Sequence, residues 1–376
     1  MTDILCGMAG AVLVLAAFFA GAYISGRHNA KRAAECAAAD DDAAEQERAE
    51  LVHDILGELA PRLQNEILLS SKAYAHLLER IARTADHALL RLIEMDAVST
   101  FHPVLFERTF GYGYGTGAMP PLAYDLPQGV RLEVTGKIDR IDFDESGRYF
   151  LVVDYKTGQA ALNILDVYYG LRLQLLTYLL VTRNLVAQTE DHAMLPAGIL
   201  YCLVKYNWWA AAKRPTDDEA QAHFDDLLRL PGWVLADLDV VHAIDASGRF
   251  FPVRLNSNGA INAYDRPKLK TQDDFVALLD YVDHMLARTG EEILLGDIRS
   301  KPYRHGKFDA CGYCPYKILC GFDPLLGSRP FTPDDRKEAD VLAELHHLAG
   351  IPVAEPEKKA KTPKKKKTTK GGVADA

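Results

Sequence analysis

The sequence predicts an α/β fold in which a mixed sheet is flanked by helices and followed by a C-terminal cysteine-rich metal-binding loop. Three observations support this prediction. Short β-rich segments alternate with amphipathic helical segments through the middle of the 376-residue chain, which is the pattern of an α/β core. Two carboxylates and a lysine fall on neighbouring predicted strands. Three cysteines then lie close together near residue 315, a spacing typical of metal ligands.

Charge is unevenly distributed along the chain. The formal net charge is −9. Residues 355–376 contain eight lysines against Glu355, Glu357 and Asp375, a local balance of +5, so the remainder carries −14. A protein with this acidic charge balance needs a local basic patch, or a partner that supplies positive charge, to bind a phosphate backbone. The lysine-rich tail itself is predicted to be disordered.

The N-terminal region predicts a membrane anchor. Residues 4–26 form a stretch of 23 residues without a formal charge, which is long enough to span a bilayer. Arg27, Lys31 and Arg32 follow it, so the positive-inside rule places the rest of the chain in the cytoplasm, anchored to the inner face of the membrane. The alternatives are a buried helix or a misassigned start. Residues 37–50 are rich in alanine and acidic side chains and are predicted to form a solvated helix or linker.

The chain is predicted to consist of an N-terminal part at 1–50, a main body at 51–330, and a helical extension with the tail at 331–376. Apolar residues at three- and four-residue spacing predict two amphipathic helices within 51–96, broken near Pro61 or at Ser70 and Ser71. Short β-rich segments predict strands, and longer periodic segments predict helices. The predicted strands are 105–110, 131–142, 150–154 and 199–205, and the further helices are 166–185 and 272–288.

The strongest chemical signal is GKIDRID at 136–142 followed by LVVDYKTG at 151–158. Asp139 and Asp154 fall on adjacent β-segments that can pair as a hairpin, so both carboxylates can converge. Such hard oxygen ligands hold Mg²⁺ beside a phosphate. Lys156 lies two residues after Asp154 and therefore on the same face of its strand, where an ammonium group can orient a water and offset charge on phosphorus.

The predicted helix at 166–185 adds two more candidates. Gln174 and Tyr178 are four residues apart and share a helix face, which can contact the carboxylates and a nucleotide. Each element alone is weak, because a D-x-K spacing is common and such a Gln/Tyr pair usually decorates a helix surface. Their ordered combination within residues 136–178 favours a nuclease over coincidence.

These ordered elements resemble the RecB-type PD-(D/E)XK nucleases, and the surrounding sequence is similar to the AddB/RexB family of helicase/deoxyribonuclease subunits. The similarity covers residues 51–324 and includes DVYYGLRLQLLTYL, PAGILYCLV, DRPKLKTQDDF, ARTGEEILLGDIRSKPYR and CGYCPYKILCGFD. It implies a restriction-endonuclease-like fold, metal ligation by Asp139 and Asp154, catalysis by Lys156, and support from Gln174 and Tyr178.

The resemblance also bears on Glu107, in FERTFG before the core. Its position is similar to that of a further acidic residue of the RecB-type site. A surface glutamate at a strand end is the equal alternative.

A second site is predicted at Cys311, Cys314 and Cys320, a soft-ligand cluster that favours a metal. The resemblance implies a [4Fe-4S] cluster, which requires four thiolates. Cys6 and Cys36 do not lie in a matching context, and Cys202 is predicted to be a buried structural thiol. His305 completing a Cys₃His zinc site is the alternative.

The resemblance implies Mg²⁺- or Mn²⁺-dependent hydrolysis of DNA in repair and recombination, with a helicase-nuclease partner subunit of AddA type. The histidine that RecB-type sites carry before the first strand is unmatched, since His53 lies in unrelated sequence and is expected to face solvent. No Walker A pattern is found, so ATP hydrolysis is not expected. We therefore expect a truncated or rearranged member of the family. A catalytically silent binding module and a membrane-tethered scaffold are the alternatives.

Overall fold

A computed structural model describes residues 41–62, 67–111, 119–158, 160–189, 194–204, 213–227, 229–306 and 308–352. The predicted membrane span at 4–26 and the lysine-rich tail lie outside these residues. Within them, none of the helices combines the length and the apolar character needed to cross a membrane.

A six-stranded mixed sheet forms the centre of the molecule. In their order across the sheet, its strands are β1 (Phe101–Phe110), β4 (Gly136–Asp144), β5 (Tyr149–Lys156), β6 (Leu195–Leu203), β7 (Gly232–Leu235) and β8 (Leu269–Lys270). Neighbouring strands are antiparallel except for the parallel pairs β5 with β6 and β7 with β8. Two short hairpins accompany it: β2 (Leu122–Asp125) with β3 (Arg131–Val134), and β9 (Arg304–His305) with β10 (Phe308–Asp309).

Helices are distributed around the sheet. In the described ranges they are α1 (Asp41–Leu59), α2 (Lys72–Asp96), α3 (Ile164–Tyr168), α4 (Gln174–Thr189), α5 (Asp217–Leu227), α6 (Leu238–Ile244), α7 (Gln272–Leu294) and α8 (Glu338–Leu348). Side-chain caps fix two of the longest. The Ser71 hydroxyl accepts a hydrogen bond at the start of α2, and Thr271 and Asp274 form a capping box at the start of α7.

Both faces of the sheet are covered by helices, as the sequence predicted. Helix α4 packs on β5 and β6 and is backed by α7. On the opposite face, Ala88 and Leu92 of α2 pack close to Tyr155 of β5. The outer side of α2 packs on α1 through a separate small apolar cluster that includes Val52, Ile55 and Ile81. The predicted site residues therefore lie between the sheet and α4.

The helix pair predicted within 51–96 is confirmed, with its break between α1 and α2. Two other segments differ from their predictions. Residues 131–142 form two strands, β3 and β4, that pair with different partners. The helix predicted at 166–185 is divided into α3 and α4, because Gly170 and Arg172 adopt left-handed backbone conformations with φ of 79° and 53°. Such conformations end a right-handed helix, and α4 therefore begins at Gln174.

The C-terminal helix α8 is fastened to the body of the domain. Nε2 of His346 lies 2.7 Å from Oδ1 of Asp274 on α7, and the Tyr168 hydroxyl donates a 2.8 Å hydrogen bond to Glu344. Val341 and Leu345 are buried in the central core. A helix is thus present in the predicted extension at 331–376, and it packs on the same core as the sheet.

Candidate active site

Sheet register brings Asp139 and Asp154 together. Arg140 on β4 pairs with Val153 on β5, so one further step of the antiparallel ladder sets Asp139 opposite Asp154. Side chains opposite each other on neighbouring strands lie on the same face, with Cβ atoms about 5 Å apart. Asp154 pairs on its other side with Tyr201 of β6. The convergence predicted from the two motifs is therefore present.

Glu107 adds a third carboxylate, from a third strand, to those of Asp139 and Asp154. On β1 it lies opposite Asp139 of β4, because the residue before it and the residue after it form cross-strand pairs with β4 in the same register. These pairs are Phe106 with Arg140 and Arg108 with Ile138. Three carboxylates, from Glu107, Asp139 and Asp154, thus occupy neighbouring positions on β1, β4 and β5, and we refer to them as the carboxylate row. Glu107 has a φ of 48°, which is uncommon for a residue with a side chain.

Asp154 is the most buried member of the carboxylate row. Its side chain is 1% exposed, and Nζ of Lys156 lies 2.5 Å from Oδ2. Among the described residues, no group forms a hydrogen bond of normal geometry with either carboxylate oxygen. Burial raises the pKa of Asp154, and the Lys156 ammonium opposes that rise. A buried carboxylate is costly unless its charge is compensated, and Asp154 is suited to binding a cation in addition to the Lys156 ammonium.

The electrostatic environment of Asp139 is also unfavourable for its charged form. Burial, followed by the repulsion of Asp154, raises the pKa of Asp139 to about 6. Two interactions lower this pKa: the backbone N–H of Tyr155 donates a 2.9 Å hydrogen bond to Oδ2 of Asp139, and the positive charge of Lys156 lies nearby. The row therefore accumulates negative charge that the surrounding protein only partly offsets.

Lys156 is positioned by a short chain of polar contacts from α4. Its ammonium donates a 2.9 Å hydrogen bond to Oε1 of Gln174, and Nε2 of Gln174 donates one of 2.9 Å to the Tyr178 hydroxyl. Both α4 side chains thus lie on the helix face that looks onto the carboxylate row, as predicted. The ring of Phe110 packs edge-on against Tyr178 with centroids 6.1 Å apart.

A lysine that the sequence analysis did not single out also belongs to this site. Lys137 lies on β4 two residues before Asp139, and its ammonium forms an ion pair with the Glu107 carboxylate. The period of two along a strand was the available signal, since it places Lys137 and Asp139 on one face. The Glu107 carboxylate is therefore paired with a basic side chain.

The other face of β4 carries a buried ion pair. Nε and the Nη2 nitrogen of Arg140 each donate a 2.6 Å hydrogen bond to Asp142, and both side chains are buried. Cys202 lies on β6, on the far side of β5, where it is half-buried beside Tyr155, and burial raises the pKa of its thiol to about 11. Cys202 thus packs in the core as predicted, but it is half-buried rather than fully buried. Because side chains alternate between the two faces of the strand along GKIDRID, Asp139 faces the site and Asp142 faces the core.

The three C-terminal cysteines lie on an exposed loop. Cys314 and Cys320 are exposed, Cys311 is half-buried, and their thiols are free. Nε2 of His305 lies 3.2 Å from Oδ1 of Asp335. Over the described ranges, no three His, Cys, Asp or Glu side chains are grouped closely enough to hold a metal ion. A metal loop is therefore not shown.

The carboxylate row is likewise not grouped this closely in the part of the chain that the structure describes, where the side chain of Glu107 is turned towards Lys137. His53, the candidate for the unmatched histidine, is exposed on α1. It therefore faces solvent, as the sequence predicted.

The chain is similar to known nucleases. The profile of the PD-(D/E)XK nuclease superfamily matches residues 27–321. The B subunit of the ATP-dependent helicase/deoxyribonuclease of Desulforamulus reducens is 36% identical over 298 residues, covering 78% of this chain and 25% of the relative. The B subunits of the Bacillus cereus and Bacillus thuringiensis enzymes are each 35% identical over 308 residues, covering 79% of this chain and 26% of the relative. The chain thus spans about a quarter of the length of these relatives, and the predicted resemblance to the AddB/RexB family is confirmed. The chain belongs to the PD-(D/E)XK nuclease superfamily.

Proposed function

We propose that this chain hydrolyses DNA phosphodiester bonds at the carboxylate row with Mg²⁺ or Mn²⁺. The observation that carries the proposal is the buried Asp154 carboxylate, which lies opposite Asp139 and has the Lys156 ammonium 2.5 Å from its Oδ2, while its Oδ1 has no hydrogen-bond partner among the described residues. A site of this kind is stabilised by a cation.

The donor set fits a hard divalent ion. Asp139 and Asp154 supply carboxylate oxygens, which Mg²⁺ and Mn²⁺ prefer. Glu107 is the third carboxylate within the row and would join them after leaving Lys137. When bound, such an ion lowers the pKa of a coordinated water and polarises a phosphoryl oxygen.

The protein's own contribution centres on Lys156. Its ammonium is held between the Asp154 carboxylate and the Gln174 amide, so it is fixed at the edge of the row. From there it can orient a water for in-line attack and stabilise the negative charge that develops on the phosphoryl oxygens. Gln174 and Tyr178 fix the lysine from the side of α4, and Gln174 can also contact the nucleotide.

Substrate and partners follow from the names of the relatives, which are subunits of an ATP-dependent helicase/deoxyribonuclease. We extend these names to the chain: its substrate is DNA, its partner is a helicase-nuclease subunit of AddA type, and its role is in DNA repair and recombination. The [4Fe-4S] cluster and the membrane anchor remain predictions. The proposed hydrolysis depends on neither.

The experiment measures release of labelled nucleotides from linear double- and single-stranded DNA, with circular DNA as the control for free ends. Asp154→Ala and Lys156→Ala are expected to abolish the activity, whereas Gln174→Ala reduces it less. Lys156→Arg fails nearly as badly as Lys156→Ala, since a planar guanidinium does not replace a compact ammonium.

Asp218→Ala and Lys72→Ala are the matched controls, because they remove the same charges at exposed positions on α5 and α2. Wild-type cleavage by the Lys156→Ala protein would refute the mechanism. A wild-type protein that binds Mg²⁺ but cleaves nothing would favour the catalytically silent binding module.

A further inference from the structure

The basic side chain of Lys137 has no role in the mechanism described above. It lies on β4 opposite Thr109 of β1 and, by extension of the β4–β5 register, beside Lys156 of β5. Its side chain is 51% exposed, whereas the Glu107 side chain that it pairs with is 28% exposed. Lys137 is therefore a solvent-accessible cation at the rim of a partly buried anionic row.

Charge balance suggests why this lysine is present. The three carboxylates of the row face two ammonium groups, those of Lys137 and Lys156, which leaves one net negative charge. A divalent cation would leave one net positive charge. One phosphodiester would then neutralise the site. Lys137 is thus part of a set of charges that balances only when both the metal and the DNA backbone are bound.

The two ammonium groups are held differently. Lys156 contacts Asp154 and also donates a hydrogen bond to Gln174, so two groups fix its position. Lys137 is held by Glu107, whose backbone adopts the left-handed conformation. Strained backbone of this kind is often found where a side chain must change its contacts. The Lys137–Glu107 pair is consequently the contact best suited to exchange.

We propose that Lys137 is a DNA-binding residue. When the Glu107 carboxylate turns to a divalent cation, it releases the Lys137 ammonium, and this ammonium then contacts a backbone phosphate next to the site. This proposal rests on the proposed nuclease function. Binding of metal would couple directly to binding of DNA, because one carboxylate serves the lysine in the first state and the cation in the second. The net charge of −9 favours DNA binding through such a local basic contact.

Two equilibrium measurements test the proposal on the full chain. Affinity for Mn²⁺ is measured by calorimetry without DNA, and affinity for a labelled duplex is measured by anisotropy over a range of salt, in EDTA and in Ca²⁺, with DNA integrity checked on a gel. Lys137→Gln is expected to bind Mn²⁺ about two- to fivefold more tightly, the equivalent of an exposed ion pair that no longer competes. In Ca²⁺ it should bind DNA about five- to tenfold more weakly at 0.1 M salt, with the salt slope reduced by roughly one phosphate contact.

Controls separate this behaviour from a structural defect. Lys72→Gln, at the distal end of α2, should match the wild type in both measurements, and Lys137→Arg should retain DNA binding. Glu107→Gln releases Lys137 without metal, so DNA binding in EDTA should become stronger than in the wild type. A misfolded variant would instead lose affinity for both ligands.

Unchanged DNA affinity of Lys137→Gln in Ca²⁺, or an equal loss in EDTA and in Ca²⁺, would overturn the proposal. So would unchanged binding in EDTA by Glu107→Gln. If the wild type neither binds Mn²⁺ nor cleaves DNA, the proposed function fails. If it does both while Lys137→Gln behaves as the wild type, only the assignment of Lys137 fails.

Discussion

Replacement of Asp139 by asparagine should stabilise the metal-free protein at neutral pH. Burial and the neighbouring Asp154 raise the pKa of the Asp139 carboxyl from 3.8 to about 6. At pH 8 the folded protein therefore keeps this group charged in an environment that disfavours the charge. Asparagine has nearly the same shape, carries no charge, and can still accept the hydrogen bond from the backbone N–H of Tyr155.

The size of the effect follows from the pKa. A rise from 3.8 to about 6 corresponds to about 3 kcal/mol of unfavourable free energy for the charged group. Partial solvent access to Asp139 reduces the expected gain to about 1–3 kcal/mol, or roughly 2–6 °C in Tm for a domain of this size. The penalty is complete above pH 6 and absent below pH 3.8, because in the lower range the carboxyl is protonated in both folded and unfolded chains. The gain should therefore decline as the pH falls from about 7 to 4.

The assay is urea denaturation of the wild type and Asp139→Asn in EDTA at pH 8, 6 and 4.5. The matched control is Asp218→Asn, which removes an exposed charge from α5 and should change stability little at any pH. Equal or lower stability of Asp139→Asn at pH 8, or a gain that does not depend on pH, would refute the reasoning. Added Mn²⁺ should reverse the order of stability of the two proteins, because Mn²⁺ stabilises the wild type and the variant has one charged ligand fewer.

Three further predictions concern other parts of the molecule. Arg140→Met should cost about 3–5 kcal/mol of unfolding free energy, because it leaves the buried Asp142 carboxylate unpaired; the double variant Arg140→Met/Asp142→Leu should recover most of this loss in urea denaturation. Gly136→Ala should cost about 1–3 kcal/mol and lower kcat, since a Cβ there would lie 2.8 Å from the Phe110 ring that packs on Tyr178; wild-type stability and turnover would contradict this. Protein purified in air should carry a substoichiometric, labile iron-sulfur cluster, because only three of the four required thiolates are matched in this sequence. A stable cluster with about four iron atoms per chain by elemental analysis would show that another ligand completes the site. One tightly bound zinc would support the His305 alternative.

Much of the fold and part of the site could be predicted from sequence periodicity. Spacing along one element is a local property, so the shared face of Asp154 and Lys156 and that of Gln174 and Tyr178 follow from strand and helix geometry. The contact between Gln174 and Tyr178 confirms the second pair. The break before Gln174 was not predicted: Gly170 is a residue type that often ends a helix, but it was not used as a signal, and the left-handed backbone of Arg172 has no clear sequence signal.

Register between strands was decided only by the tertiary structure. The sequence determined that Glu107, Asp139 and Asp154 occur on short β-rich segments, and that Lys137 shares a face with Asp139. It left open whether Glu107 belongs to the site or to the surface, because both readings satisfy the local pattern. Packing of the whole sheet sets Glu107 opposite Asp139 and Asp139 opposite Asp154, since a slip of one residue would move every buried side chain to the wrong face. The ion pair between Lys137 and Glu107 depends on that cooperative choice, and for this reason neither strand's sequence could specify it alone.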